Sequence, residues 1–247
     1  MRDAILIAQV TDCHLSADPE QTYRGINPRR NLETLLEKVR AISPDLLLLT
    51  GDLSEDGSRE SYRFLQTRCK PFGVPVLALP GNHDDAVLLE ETFPGSPVDT
   101  ISVSEHGEWQ VIRLNSCQPG KAEGRLSDRT MVDLEDFLEN SENRPQLIAL
   151  HHHPIAIGSP WIDKYPLLQP QLLLQTVDRY VNVKALAWGH VHQAFATERN
   201  GTVMLAGPSS AVNALPGAQQ FTADRMGPAC RWLTLRADQT VSSGIIG

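Results

Sequence analysis

Three apolar runs of strand length are separated by two amphipathic segments in the first third of the chain. The runs are nearly continuous, which is typical of strands buried on both faces of a sheet, and they cover residues 4–10, 45–50 and 74–79. Between them, residues 28–42 and 58–69 have the apolar spacing of helices. Strands that alternate with helices in this way predict parallel pairing with crossover helices.

The rest of the chain predicts shorter strands with fewer helices between them. Asn200-Gly201 predicts a tight hairpin turn. We therefore expect an α/β fold of two mixed β-sheets packed face to face with helices outside. No repeat, linker or low-complexity tract interrupts the sequence, so we expect one domain covering residues 1–247. The later strands are predicted at residues 100–103, 108–114, 146–150, 183–188, 194–198, 202–206, 231–235 and 240–246, and the later helices at 127–138 and 170–180.

Side chains with a carboxylate, an amide or an imidazole group follow five of the predicted strands. In parallel sheets a site lies beyond the carboxyl ends of the strands. One such histidine is more often a structural residue, and one such aspartate is more often a turn former or a helix cap. Seven of the eight histidines, however, belong to these groups, and only His106 does not. The groups are Asp12 with His14, Asp52, Asn82-His83-Asp84, His151-His152-His153, and His190 with His192.

Charge and composition exclude some functions. The net charge of -8 argues against a nucleic-acid duplex as partner, because binding to a phosphate backbone needs clustered Lys and Arg. No apolar run approaches the ~18 residues of a membrane span, and no signal-peptide pattern precedes residues 4–10. Four scattered cysteines form no CxxC pair, so we expect thiols in a reducing, cytoplasmic compartment. The oligomeric state, monomer or homodimer, stays open.

The ligand types at the strand ends indicate a class of metal. The cysteine and histidine spacing does not match a structural zinc site. Mixed imidazole and carboxylate ligands suit Mn, Fe, Co or Zn. The residues are too many for one ion and about enough for two, and a carboxylate has two oxygens with which to bridge them. Two ions about 3.5–4 Å apart stabilise both the attacking and the leaving oxygen at phosphorus.

The five groups, in this order, resemble the calcineurin-like binuclear metallophosphoesterases. The pattern D-x-H, G-D, G-N-H-D, H-x-P and G-H-x-H extends from Asp12 to His192. Finer features are similar to the bacterial class III 3′,5′-cyclic-AMP phosphodiesterases, including the triple histidine before Pro154 and Trp188-Gly189-His190-Val191-His192-Gln193. The resemblance implies a four-layer fold, with two mixed sheets inside and helices outside.

The resemblance also implies roles for individual residues. His152 is preferred within the triple histidine because the family's ligand lies two residues before the proline. His151 and His153 remain alternatives. Adjacent residues of a strand face opposite sides, so the three rings cannot all point at one metal. Fe and Mn are the first choice of metal, with Zn or Co as alternatives. The implied ligands are Asp12, His14 and His192 for the first metal, Asn82, His152 and His190 for the second, and Asp52 as the bridge.

The implied mechanism is attack at phosphorus by a hydroxide that bridges the two metals. His83 is the implied catalytic residue, which stabilises phosphoryl charge and protonates the leaving oxygen. Asp84 either holds the His83 ring or caps the following helix.

The expected substrate is a small phosphodiester, with a cyclic nucleotide as the first choice and hydrolysis of 3′,5′-cyclic AMP to 5′-AMP as the expected reaction. One alternative is a broad phosphoesterase that acts on other diesters or on monoesters. A second is a non-catalytic scaffold of the same fold, although the chain has lost no ligand position. The loop of residues 207–220 lacks the Cys and aromatic residues expected of the subfamily, and Cys13 stands where Thr or Ser is more usual.

Overall fold

The computed structural model describes residues 4–247; residues 1–3, which the sequence analysis included in the domain, lie outside the described part. Most observed elements begin and end within two residues of the predicted bounds. The strands are β1 (Ala4–Val10), β2 (Leu46–Thr50), β3 (Val76–Leu79), β4 (Ile101–His106), β5 (Trp109–Leu114), β6 (Gln146–Ala149), β7 (Val183–Trp188), β8 (Phe195–Arg199), β9 (Thr202–Ala206), β10 (Cys230–Arg236) and β11 (Val241–Ile246). The helices are α1 (Pro28–Ala41), α2 (Arg59–Cys69), α3 (Ala86–Thr92), α4 (Asp128–Glu139), α5 (Pro160–Asp163) and α6 (Pro170–Arg179).

The strands form two mixed sheets. The first sheet has the order β11-β10-β1-β2-β3, and the second has the order β4-β5-β6-β7-β9-β8. In the first, β1, β2 and β3 are parallel while β10 and β11 are antiparallel. In the second, β5, β6, β7 and β9 are parallel, and β4 and β8 close the two edges in the antiparallel sense. The parallel strands of each sheet therefore end at a common edge.

Alternation along the strands produces the four layers. Ile7, Leu46 and Leu48 face the layer between the two sheets, whereas their neighbours Ala8 and Leu47 face the outer helices. On this outer side α1 and α2 cover the first sheet, and α4 and α6 cover the second. The predicted arrangement of two mixed sheets with helices outside is confirmed.

Buried polar side chains join one sheet to the other. Gln9 at the end of β1 donates to the carbonyl oxygen of Trp188 at the end of β7, over 2.9 Å. Arg113 of β5 donates to the carbonyl oxygen of Ala78 in β3. Arg231 of β10 donates to two carbonyl oxygens of β8 and β9. A hydrogen bond from a charged donor such as arginine contributes about 1.5–3 kcal/mol, so the bonds of Arg113 and Arg231 hold the two sheets together most strongly.

Two short helices differ from the predicted pattern. Residues around Trp161 were expected to form a loop, but Ser159 precedes the single turn of α5. Asp85, rather than Asp84, caps α3, because its side chain accepts the backbone N–H groups of Val87 and Leu88. No helix within residues 4–247 combines the length and apolar character needed to cross a membrane.

Candidate metal centre

The loops that follow β1, β2, β3, β6 and β7 meet at the shared edge of the two sheets. They bring together the side chains that the sequence analysis selected as ligands. Four groups have ligand atoms within 4.8 Å of one another. Three are almost wholly buried: Asp12 with His14 and His192; His151 with His152 and His190; and Asp12 with Asp52 and His151. The fourth, His14 with Asp52 and His83, includes one exposed ring.

The backbone of these loops is strained where the ligands lie. Asp12, His14, Asp52, His190 and His192 all have φ between 46° and 69°. This left-handed region is uncommon for residues other than glycine and concentrates at functional sites. Backbone bonds hold the loops in place, since the N–H groups of Asp12 and His14 each donate over 2.9 Å to carbonyl oxygens of the β2 loop. The strain aims side chains from successive loops at one point.

Two glycines of the motifs leave room for the ligands. A Cβ atom on Gly81 would lie 2.2 Å from Oδ1 of Asp52, and one on Gly189 would lie 2.1 Å from Oγ1 of Thr11. No side chain fits at either position without displacing a neighbour. The spacing of G-N-H-D and G-H-x-H therefore reflects the close approach of the loops.

The first half of the site consists of Asp12, His14 and His192. Nε2 of His14 lies 3.1 Å from Nε2 of His192, which in turn lies 3.4 Å from Oδ1 of Asp12. The outer ring nitrogens face acceptors. Nδ1 of His14 donates to Oε2 of Glu55 over 2.7 Å, and Nδ1 of His192 donates to the carbonyl oxygen of Val212 over 2.8 Å.

The second half consists of Asn82, His151, His152 and His190. Nε2 of His151 lies 3.2 Å from Nδ1 of His190. Nδ1 of His151 donates to the carbonyl oxygen of Thr50 over 2.8 Å. Nε2 of His190 donates to the carbonyl oxygen of Tyr165, in the loop after α5, over 3.0 Å. Oδ1 of Asn82 is buried and has no hydrogen-bond partner within residues 4–247, which leaves this oxygen free to bind a metal ion.

The three consecutive histidines have different surroundings. Nδ1 of His152 contacts Oγ of Ser116 at 2.8 Å, and its Nε2 is buried without a partner in the described chain. The ring of His153 stacks on His190 and lacks a hydrogen bond from either nitrogen to residues 4–247. Of the three, His151 contacts the carboxylate of Asp52. His151 is one of the alternatives that the sequence analysis placed behind His152.

Asp52 lies between the two halves. Its Oδ2 is 3.4 Å from Nε2 of His151 and 3.9 Å from Nε2 of His14, while its Oδ1 accepts the backbone N–H of His83. Burial opposes its ionisation, but the nearby His151 holds the pKa of Asp52 well below its usual range. Burial raises the pKa of Asp12 to about 7. Two carboxylates and several neutral imidazoles thus share a dry space.

The proton positions show that the donor set fits cations. A carbonyl oxygen only accepts, so the ring nitrogens that face carbonyls carry hydrogen and the inner nitrogens present lone pairs. Burial lowers the pKa values of His14 and His192, so their inner lone pairs face each other and repel unless a cation binds between them. In the second half, burial opposes a charge on His151, but Asp52 raises its pKa to about 9. Nε2, which faces Asp52, is therefore the atom with which His151 would bind a metal ion.

His83 and Asp84 have separate environments. The ring of His83 is exposed, and its Nδ1 lies 3.3 Å from Oε2 of Glu55. Asp84 instead accepts three backbone N–H groups, from Gly81 and from the loop after β2, together with the hydroxyl of Tyr62. Asp84 therefore organises the two loops; neither role that the sequence analysis gave it matches these contacts.

Sequence reasoning missed Glu55. One oxygen of this side chain contacts both His14 and His83. Glu55 stands in the polar stretch Ser54-Glu55-Asp56, where nothing in the residue types separates it from its neighbour. Only its position three residues after Asp52, on the same loop, points towards the site.

Comparisons with known proteins show which family the chain belongs to. A family model described as calcineurin-like phosphoesterase matches residues 5–194. The 3′,5′-cyclic adenosine monophosphate phosphodiesterase CpdA of Pseudomonas aeruginosa is 35% identical over 244 residues, which are 98% of this chain and 89% of that protein. A 3′,5′-cyclic-nucleotide phosphodiesterase of Nostoc sp. is 36% identical over 98% of this chain and 91% of its own.

A solved structure extends the similarity to the fold. The dimetal phosphatase from Danio rerio superimposes with a TM-score of 0.69, covering 97% of this chain and 98% of that one at 13% identity. At this identity the likeness concerns the arrangement of sheets and helices alone.

Proposed function

Because the chain belongs to the calcineurin-like phosphoesterase family, we propose that it is a metal-dependent phosphodiesterase that hydrolyses 3′,5′-cyclic AMP to 5′-AMP. The observation that carries the proposal is the pair of buried imidazole clusters that share Asp52. The substrate class rests on relatives whose names describe cyclic nucleotide phosphodiesterases and which match nearly the whole chain.

The proposed ligands form two sets. His151 replaces His152 in the second set, because its Nε2 lies near Asp52 while its Nδ1 is fixed on a carbonyl oxygen. The ions are divalent first-row metals, with Fe and Mn as the first choice and Zn or Co as alternatives. When bound, two such ions lower the pKa of water and act as Lewis acids on phosphoryl oxygens. The sets are Asp12, His14 and His192; Asn82, His151 and His190; and Asp52 in both.

His83 is the proposed catalytic residue of the chain itself. Its ring is exposed at the edge of the site, close to Asp52 through its backbone. Its Nδ1 faces Glu55, which leaves Nε2 as the nitrogen that donates a hydrogen bond to a phosphoryl oxygen or a proton to the leaving alkoxide. Burial lowers the pKa values of His14, His190 and His192, so these three rings stay neutral and available as ligands.

The shared site supports two further parts of the proposal. Since both sheets contribute proposed ligands to one site, we include residues 1–247 in a single domain.

The four cysteines are free thiols, which supports a cytoplasmic location.

The test compares two substrates on metal-stripped protein to which Mn²⁺ is added back. Cyclic AMP and bis-p-nitrophenyl phosphate are assayed side by side, and we expect metal-dependent turnover of both. Turnover of the nitrophenyl diester alone would support a broad phosphoesterase and contradict cyclic AMP as the substrate. Turnover of neither substrate by protein that has bound Mn²⁺ would favour the scaffold.

A further inference from the structure

A tight turn positions Arg24 over the first half of the site. Tyr23 and Ile26 exchange backbone hydrogen bonds of 2.9 and 3.1 Å, and Arg24 and Gly25 between them have φ of 49° and 82°. Two consecutive positive φ values form a type I′ turn, in which Asn, Asp and Gly are the favoured residues. An arginine at the first central position is therefore strained, and the two hydrogen bonds of the turn fix its backbone.

The side chain of Arg24 is held by two aromatic residues of the site wall, Tyr23 and Phe221. Its guanidinium carbon lies 3.7 Å from the centroid of the Phe221 ring, and its Nε donates to the hydroxyl of Tyr23 over 3.2 Å. No carboxylate among residues 4–247 forms an ion pair with it. Arg24 as a whole residue is exposed to solvent.

Other rings fix this wall against the proposed metal ligands. Tyr23 stacks on His14 with the centroids 3.9 Å apart and the planes at 7°. Phe221 packs edge-on against His192 and against the buried Trp161. The loop of residues 207–220, which precedes Phe221, lacks the aromatic residues that the subfamily resemblance implies. Phe221, one residue beyond it, places a ring there.

A purely structural role does not explain why Arg24 occupies this strained position. An exposed cation–π contact is weak, and it is smaller than the strain of a non-glycine residue in the left-handed region. Unpaired charge on a strained turn beside a site points to a ligand. Tyr23 contacts both Arg24 and the ring of His14, so the guanidinium lies beside the proposed metal ligands. Arg24 forms no hydrogen bond or ion pair with Asp52 within residues 4–247, so a group linked to the phosphate through a sugar suits its position better than a phosphate bound at Asp52.

We propose that Arg24, held on Phe221, is the stacking platform for the heteroaromatic base of the nucleotide. The inference rests on the proposed function, since it identifies where the base of its substrate binds. Nucleobases stack on guanidinium planes and on aromatic rings. Stacking of this kind changes affinity by roughly tenfold or more per base, so the platform would favour nucleotides over phosphodiesters that have no base.

The experiment measures binding of 5′-AMP and of ribose 5-phosphate to the Mn²⁺-loaded protein by calorimetry. Arg24→Asn removes the guanidinium and keeps a residue that tolerates the turn. Arg24→Lys keeps the charge and removes the planar group. Arg225→Asn, an exposed arginine in the segment after Phe221, is the matched control. All variants are first compared with the unaltered protein by circular dichroism and thermal unfolding.

We expect the unaltered protein to prefer 5′-AMP over ribose 5-phosphate by roughly tenfold. Arg24→Asn and Arg24→Lys should both remove that preference while the ribose 5-phosphate affinity stays the same, and Arg225→Asn should change neither. Equal loss for both ligands, or rescue by lysine, would assign Arg24 to the phosphate and overturn the platform. An unaltered protein without the preference would also overturn it. Failure to hydrolyse cyclic AMP contradicts the proposed function instead, because base-dependent binding is measured without turnover.

Discussion

In the second half of the site, the imidazoles are oriented by the backbone. Carbonyl oxygens of Thr50 and Tyr165 accept the outer N–H groups of His151 and His190. Thr50 is the last residue of β2, so this acceptor is part of the sheet itself. A backbone acceptor survives any ordinary side-chain substitution, and the orientation of these two rings therefore follows from the fold.

In the first half, one imidazole depends on a side chain. The carbonyl oxygen of Val212 accepts from His192, but His14 is oriented by Glu55, which is 33% exposed. Groups that orient metal ligands typically change metal affinity by 10–100-fold when removed. The comparison indicates that replacing an orienting side chain can adjust the first metal position, whereas the rings of the second are oriented by backbone groups.

Asp52→Asn should have the largest effect because both halves share this carboxylate. The change removes the negative charge between the two ligand sets, and several kcal/mol of charge stabilisation correspond to roughly a thousandfold loss in kcat/KM. Turnover of bis-p-nitrophenyl phosphate and the Mn²⁺ stoichiometry, measured together, should both fall. Asp136→Asn on the outer helix α4 is the matched control. Full activity of Asp52→Asn would exclude a bridging role.

The second half is best tested by comparing His151→Asn with His152→Asn. We expect about a hundredfold loss of kcat/KM for His151→Asn, equivalent to ~2.7 kcal/mol, together with loss of one bound Mn²⁺ per chain. His152→Asn should reduce kcat/KM by less than about tenfold and keep the metal stoichiometry, because Nδ1 of His152 faces Ser116 and its ring is not the one against Asp52. The reverse order of effects would restore the choice made from the sequence.

The sequence predicts most of the fold because its signals are local. A near-continuous apolar run such as β2 (Leu46–Thr50) marks a buried strand, and a polar residue directly after it marks the sheet edge. Asp12, Asp52 and His190 were found in this way. The same reasoning does not predict the roles of Arg113 and Arg231. Both join the sheets by donating to carbonyl oxygens of residues distant from them in sequence.

The details of the site depend on backbone direction, which residue types do not encode. Three identical residues follow β6, and only the path of the chain after Ala149 determines that His151 faces Asp52. Glu55 resembles any exposed acidic residue until His14 and His83 are seen to contact the same oxygen. Such contacts arise between loops that are distant in sequence, so a pattern along one chain does not reveal them.

Glu55→Ala tests whether the Mn²⁺ affinity of the first half depends on an orienting side chain. Removal of the acceptor frees the His14 ring, so the Mn²⁺ affinity of one position should fall by roughly 10–100-fold, while the other position is unchanged. Glu55→Gln should have a smaller effect, because its amide oxygen still accepts from Nδ1. A stepwise Mn²⁺ titration by calorimetry resolves the two positions. Equal weakening of both would contradict the comparison.

Ser116→Ala is the counterpart of that change in the second half and should have the smallest effect on activity. Ser116 contacts Nδ1 of His152 and accepts the backbone N–H of the same residue over 3.3 Å. Its removal leaves buried polar atoms unpaired, which costs about 1–3 kcal/mol of unfolding free energy. The proposed ligands His151 and His190 keep their carbonyl acceptors, so both Mn²⁺ affinities should stay within about threefold of the original, far from the 10–100-fold loss expected of a group that orients a ligand. Denaturant unfolding and the same calorimetric titration separate the two quantities. A tenfold loss of Mn²⁺ affinity without a stability change would mean that His152 is a ligand, and that the second half also relies on a side chain for its orientation.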